Sequence, residues 1–115
     1  MVKFADMFTT EKRPAMRGGD GVVEITSMTT KEELNNKGRL FANITLNPGC
    51  SIGQHIHENE SELFYIMRGS AEYNDNGTVV QVSQGDVCIC KAGEYHSIAN
   101  KTDGITEVFA LILNA

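Results

Sequence analysis

The chain has 115 residues, with 10 Lys and Arg against 15 Asp and Glu, which gives a formal net charge of −5. Hydrophobic residues make up 41% of it and charged residues 22%, a composition that excludes a disordered or fibrous chain and favours one compact domain. An acidic chain repels nucleic-acid phosphates and anionic lipid headgroups, so the charge argues against both kinds of partner.

The N-terminal segment has no apolar run long enough for a signal peptide, and no later stretch reaches the roughly 20 apolar residues of a membrane span. We therefore expect a cytoplasmic protein. Residues 1–20 are expected to form an arm, because Phe4, Met7 and Phe8 have the spacing of a small apolar face that must pack on the barrel or on a partner subunit. Residues 21–115 are expected to form one barrel domain, whose open sheet edges favour a homodimer.

Segments rich in β-branched and aromatic residues alternate with Gly, Asn and Asp turns about every 8–12 residues, which is typical of many short antiparallel strands. A hairpin is expected between residues 71–73 and 78–82, because Asn76-Gly77 supplies the positive φ values of a tight reversal. The strands are predicted at residues 22–28, 40–46, 63–67, 78–82, 87–90 and 105–113.

One short helix is expected in the N-terminal third. Thr30 and Glu33 have the spacing of a capping box, and Gly38 follows as a natural end after about seven residues. The pattern as a whole predicts an all-β sandwich or barrel with this helix as a connection between strands.

The three cysteines, Cys50, Cys88 and Cys90, do not predict a disulfide framework. Their number is odd, and Cys88 and Cys90 lie too close along one strand to bridge comfortably. We expect buried, reduced thiols at all three positions.

All three histidines lie in or beside predicted strands. His55 and His57 form a His-x-His pair, and because side chains alternate along a strand, both imidazoles point to the same face. Glu62 follows a polar loop in which the chain can reverse and bring its carboxylate beside them. Neutral imidazoles and a carboxylate are the donors of a mononuclear transition-metal site.

The pattern of residues 49–100 resembles the cupin family. The first cupin motif, with its two histidines, glutamate and flanking glycines, matches at every fixed position. The second motif matches at its glycines, histidine and asparagine, and departs only at Lys91, where the family has proline. The matching residues are Gly49, His55, His57, Glu62 and Gly69 for the first motif, and Gly85, Gly93, His96 and Asn100 for the second.

This resemblance implies a six-stranded double-stranded β-helix, or jelly-roll barrel. It also implies that His55, His57, Glu62 and His96 hold one divalent transition metal, Fe, Mn, Zn, Ni or Co. A set of three nitrogens and one oxygen leaves about two positions open on a six-coordinate ion, so a small molecule can bind there. Ligation by a cysteine is possible but not needed.

Strand parity predicts what surrounds the ion. Phe64 and Ile66 share the face of Glu62, and Ile98 shares that of His96, so they belong to the core or to an apolar pocket wall. Gln54 and Tyr65 have the opposite parity and are expected to face outward. Tyr95 lies beside His96 and is a candidate catalytic residue at the mouth of the pocket. Asn100 is expected to fix its turn. The remaining charged residues considered, Arg13, Arg17, Arg39, Arg68 and Lys91, are interpreted as solvated surface charges.

Three functions fit this pattern. The first is a metal-dependent, dioxygenase-like enzyme acting on a small oxygen-rich metabolite. The second is a non-redox isomerase of a sugar or keto acid, and the third is a binding protein for a sugar or small acid without turnover. A mobile cation at Lys91 could also attract an anion to the pocket, although a purely structural replacement of the proline is favoured.

Overall fold

Two antiparallel β-sheets pack face to face in the computed structural model, which describes residues 1–115. The larger sheet has six strands in the order β1-β2-β3-β10-β5-β8, and the smaller has four in the order β4-β9-β6-β7. The strands are β1 (Thr9–Pro14), β2 (Val22–Ser27), β3 (Gly38–Leu46), β4 (Ser51–Ile56), β5 (Glu60–Arg68), β6 (Ser70–Asp75), β7 (Thr78–Ser83), β8 (Val87–Cys90), β9 (Tyr95–Ala99) and β10 (Thr106–Asn114).

The core lies between the two sheets and follows the alternation of the strands. Along β10, Thr106, Val108, Ala110 and Ile112 are buried, while the residues between them are less so. The same alternation in β3 and β5 brings their inward side chains against this row, since β10 pairs with both strands. This is the expected all-β jelly-roll fold, built as two facing sheets without a continuous ladder around a barrel.

The six predicted strands are all present, with ends shifted by a few residues. The hairpin of β6 and β7 turns at Asn76-Gly77, where both residues have positive φ. The strand count of six was too low: β6 is the first strand of the expected hairpin, and β1, β4 and β9 are further strands. Of these, β1 lies within the segment expected to be an arm, and it pairs with β2 along its whole length at the sheet edge.

The predicted helix is only a 3₁₀ turn, Glu32–Leu34. The capping box itself forms as expected: the Glu33 amide donates to the Thr30 hydroxyl, and the Thr30 amide donates to the Glu33 carboxylate. The turn ends at once because Asn35 and Asn36 both adopt left-handed φ, which a right-handed helix cannot include. No helix of the structure has the length and apolar character needed to span a membrane.

The first eight residues leave apolar side chains uncovered. Phe4, which precedes the 3₁₀ turn Ala5–Met7, is 66% exposed, and Met7 at the end of that turn is 52% exposed. Lys3 ties this segment to the rest of the chain through an ion pair with Glu33, at 2.9 Å. The homodimer remains a prediction, and so does the role of this segment in the contact between subunits.

A tight crossing of two chain segments fixes the residues that follow β1. We call residues 15–19 the strap; it includes the 3₁₀ turn Met16–Gly18 and lies across β4. A Cβ on Gly53 of β4 would collide with the Arg17 carbonyl oxygen and lie 3.0 Å from the Gly19 nitrogen. A Cβ on Gly19 would likewise collide with the Ser51 carbonyl oxygen. Two glycines are therefore required for the strap to approach β4 so closely.

Replacing Gly53 by alanine tests this crossing. Because the new methyl group collides with backbone atoms, we expect Gly53→Ala to lose about 1–3 kcal/mol of unfolding free energy. Thermal unfolding measures the change. Gly104→Ala is the matched control, since a Cβ at Gly104 meets nothing within 4 Å. Equal stability of the two variants would contradict the close packing of the strap.

Candidate metal centre and its cavity

Four side chains converge on one point between the two sheets. His55 is in β4, His57 follows that strand directly, His96 is in β9, and Glu62 reaches across from β5 of the other sheet. One donor atom from each lies within 4.8 Å of all the others. The side chains of His57, His96 and Glu62 are nearly inaccessible to solvent, so these polar groups face each other inside the protein.

Backbone pairing explains the convergence. His55 lies directly opposite His96 in the β4 and β9 ladder, after an irregularity that begins at Ile52. The turn before β9 then ties down His57, because Gly93 donates to the His57 carbonyl oxygen at 2.7 Å and the His57 amide donates to the Glu94 carbonyl oxygen. The two motifs are thus joined through main-chain hydrogen bonds.

Each imidazole is oriented by a hydrogen bond on its outer nitrogen. Nδ1 of His55 donates to the Gly53 carbonyl oxygen at 2.7 Å, and Nδ1 of His57 donates to the Glu60 carboxylate at 3.2 Å. Nδ1 of His96 lies 2.7 Å from the hydroxyl of buried Tyr73, which can accept its proton. With Nδ1 protonated, each neutral ring turns an unprotonated Nε2 toward the centre.

Sequence reasoning missed Tyr73 as part of this site. Tyr73 is a diagonal neighbour of His96, because Asp75 is the residue directly opposite His96 in the β6 and β9 ladder. The sequence signal available for Tyr73 was its spacing two residues from Ala71 in the predicted hairpin, which places both side chains on one face, and both are buried in β6. This spacing does not reveal which strand lies beside β6.

The charges of the site favour ionised carboxylates. The pKa of Glu60 is lowered to about 2, chiefly by its hydrogen bonds from Arg39. Burial raises the pKa of Glu62, but the three imidazoles around its carboxylate outweigh burial and hold that pKa well below its usual range. The Glu62 carboxylate raises the pKa of His57, whereas burial lowers the pKa of His96.

The donor set fits a single transition-metal ion. The three Nε2 atoms lie 3.1–3.2 Å apart, and Glu62 Oε1 lies 2.9 Å from Nε2 of His57 and 3.1 Å from that of His96. Donors at right angles on an ion with bonds of about 2.1 Å lie about 3 Å apart. Glu62 Oε1 and His55 Nε2 are 3.9 Å apart, nearer the spacing of donors on opposite sides.

The remaining predicted site residues fall outside the donor group. Phe64, Ile66 and Ile98 are core residues, and the Phe64 ring stacks on the His96 imidazole with centroids 5.2 Å apart. Tyr95 lies in β9, but its hydroxyl lies against Gly77 in the hairpin turn. Tyr95 is also absent from the lining of the small cavity beside the donor group, which is described below.

Several predictions about individual residues are confirmed. Tyr65 and Gln54 face outward, as parity predicted. Asn100 is fully buried and fixes its turn, with its amide donating to the carbonyl oxygens of Leu46 and Gly104. The cysteines are free and buried, and burial raises the pKa of the Cys88 thiol to about 12.

Lys91 is exposed and lies outside the donor group, and its backbone closes the turn that precedes β9. Its amide donates to the Glu94 carboxylate at 2.8 Å, and its carbonyl oxygen accepts from the Glu94 amide. A proline at this position has no such donor, so lysine closes the turn by a hydrogen bond that the family's proline cannot make.

A small cavity of about 70 Å³ leads to the donor group. The arginines are exposed, as expected of surface charges, but three of them have a further position that was not predicted: Arg13, Arg17 and Arg39 line this cavity together with the metal-binding group. They could not be recognised from sequence spacing, because they lie in β1, in the strap and in β3. The lining comprises Glu11, Arg13, Met16, Arg17, Ile25, Arg39, Leu40, Ile44, Ile52, His55, His57, Glu62 and Ile112.

Comparison with known families and structures agrees with this geometry. The model of the cupin domain matches residues 42–112. The chain belongs to the cupin family. This cupin is 43% identical over 113 residues to the oxalate-binding protein of Thermotoga maritima, an alignment that covers 98% of this chain and 93% of that protein.

Solved structures support the same assignment. The crystal structure of a predicted oxalate decarboxylase from Thermotoga maritima has a TM-score of 0.95 and 43% identity, with complete coverage of both chains. The Cnp3 cupin domain of Schizosaccharomyces pombe has a TM-score of 0.73 at 15% identity, covering 91% of this chain and 69% of that one. The second likeness concerns the fold alone.

Metal removal and a ligand variant test the donor group. A bound ion stabilises the folded state, so we expect a chelator to lower the melting temperature of the wild-type cupin without unfolding it at 25 °C. His57→Ala should lose most of its metal by elemental analysis, and its melting temperature should not respond to the chelator. One equivalent of metal retained in that variant would contradict the assignment.

The two tyrosines offer a matched comparison. Tyr73→Phe removes the hydroxyl that orients His96, so we expect metal affinity about 10–100-fold weaker, measured by competition with a chromogenic chelator. Tyr95→Phe removes a hydroxyl that lies away from the donor group and should leave the affinity unchanged. If both variants bind metal equally well, Tyr73 does not position His96.

Proposed function

We propose that this cupin holds one divalent transition metal ion through His55, His57, Glu62 and His96 and binds a small dicarboxylate anion of the oxalate class beside it. The observation that carries the proposal is that three arginines and the metal-binding group line one cavity. Guanidinium groups suit carboxylates because their paired N–H donors match the two carboxylate oxygens.

The balance of charge in the cavity favours an anion. Three guanidinium groups stand against the carboxylates of Glu11 and Glu62, which leaves the lining with one net positive charge. A divalent ion on the donor group raises this to three. Such a cavity concentrates small anions even though the chain as a whole is acidic.

The size of the cavity favours a small ligand. A volume of about 70 Å³ corresponds to about five water molecules, at roughly 10–15 Å³ each on the same measure. Oxalate has six non-hydrogen atoms and is of this size. The cavity walls beyond the charged groups are apolar, with Ile25, Ile44 and Ile112 among them.

The residues around the donor group have separate roles in holding the ion and the anion. When bound, a divalent ion supplies a centre that accepts carboxylate oxygens at the positions the four donors leave open. Glu60 holds the His57 ring in place, and Arg39 holds Glu60 through two hydrogen bonds of 2.8 Å while also lining the cavity. Arg39 therefore connects the anion cavity to the orientation of a metal-binding histidine.

The name of the Thermotoga maritima relative, oxalate-binding protein, supports this ligand class, since that protein is 43% identical over 98% of this chain. The expected dioxygenase-like enzyme and the Lewis-acid isomerase remain predictions, and binding without turnover is the simpler proposal.

Calorimetric titration tests the proposal. We expect oxalate to bind the Mn-loaded wild-type cupin with one equivalent per chain, and binding to disappear when the metal is removed. His57→Ala serves as the metal-free control. Absence of oxalate binding to protein with verified metal content would refute the proposed ligand class.

Turnover is measured on the same samples. Consumption of O₂ or release of CO₂ or peroxide in the presence of oxalate would establish an enzyme. Oxalate recovered unchanged would support a binding protein.

A further inference from the structure

We infer that Arg17 is the residue by which this cupin distinguishes a dicarboxylate from a monocarboxylate. The inference rests on the proposed function and assigns its selectivity to one side chain. Three features of Arg17 carry it: its free charge, its position in the cavity wall and the way the strap is held.

The charge of Arg17 is not neutralised by the protein. Arg13 pairs with Glu11 at 3.2 Å, and Arg39 forms two hydrogen bonds with Glu60. Arg17 forms no ion pair with any carboxylate. An anion that approaches Arg13 or Arg39 must compete with a glutamate for the guanidinium, whereas an anion that approaches Arg17 meets no such competitor.

The backbone of the strap is held in an unusual conformation. Ala15 and Arg17 have φ values of 50° and 54°, a region that residues other than glycine rarely adopt. Hydrogen bonds from Gly18 and Gly19 back to Ala15 and Met16 close the turn. Such a conformation persists only where surrounding contacts impose it.

Those contacts connect the strap to the metal-binding strand. The Arg17 carbonyl oxygen packs on Gly53, which lies two residues before His55, and the His55 ring itself donates to the Gly53 carbonyl oxygen. Directly after the strap, the Asp20 amide donates to the Ser51 hydroxyl, and the Ser51 amide donates to the Asp20 carbonyl oxygen. The backbone of Arg17 is therefore held at a fixed place beside the metal-binding strand, and its side chain extends from there along the cavity wall.

The chemistry of the ligand completes the argument. A dicarboxylate that turned one carboxylate toward an ion held by the donor group would still carry a second negative charge and further oxygens, which the planar guanidinium of Arg17 can bind. A monocarboxylate has only one charge, which such an ion would neutralise. Loss of Arg17 should therefore affect the dicarboxylate much more than the monocarboxylate.

The experiment compares oxalate and acetate binding to Mn-loaded protein by calorimetry. Arg17→Gln should weaken oxalate binding at least about 10-fold and acetate binding less than about 3-fold, with unchanged metal content. Arg17→Lys, which keeps the charge but not the planar fork, should fall between Arg17→Gln and the wild type for oxalate. Arg68→Gln makes the same charge change at an exposed arginine outside the cavity and should bind both anions like the wild type.

Each other outcome has a definite meaning. Unchanged oxalate affinity in Arg17→Gln, an equal loss for acetate, or loss of metal from the variant would each overturn the assignment of Arg17. Wild-type protein that binds metal but no oxalate would overturn the proposed function, and the role of Arg17 with it. Circular dichroism of both Arg17 variants verifies that they fold. If Arg17→Gln does not fold, the oxalate and acetate affinities of Arg17→Lys test the assignment instead.

Discussion

Three imidazole nitrogens and one carboxylate face each other between the two sheets, and the structure around them follows from that arrangement. Unprotonated Nε2 atoms 3.1–3.2 Å apart repel each other unless a cation lies among them. The outer hydrogen bonds keep the rings turned inward: Gly53 holds His55, Glu60 holds His57, and Tyr73 holds His96. The site is thus organised for a cation by contacts that do not involve the cation itself.

The same contacts also join the metal-binding group to the cavity that the three arginines line. Arg39 binds Glu60, which holds the His57 ring, and Gly53 both accepts the His55 proton and supports the strap that carries Arg17. A change at the cavity wall therefore reaches the donors through one or two hydrogen bonds. By linkage, metal and anion should each strengthen the binding of the other.

The donors could be predicted from the sequence because their geometry is mostly local. His55 and His57 share a face through strand alternation, and Glu62 follows within one reversal of the chain. Tyr73 and the cavity arginines depend instead on which strands become neighbours, which spacing along the chain does not reveal. The predicted helix failed for a local reason: the capping box formed, but Asn35 and Asn36 took left-handed conformations that ended the turn.

Unlike Tyr73, the cavity arginines that were not predicted lie outside the part of the chain that matches the family. The cupin domain match covers residues 42–112 and contains all four donors, whereas Arg13, Arg17 and Arg39 all precede it. Metal binding therefore belongs to the part of the chain that the family shares, and the charge that we propose to select a ligand comes from β1, the strap and the start of β3. Membership in the family accordingly indicates the metal but not the ligand, because the fold places the same donors beneath whatever side chains the preceding segment supplies.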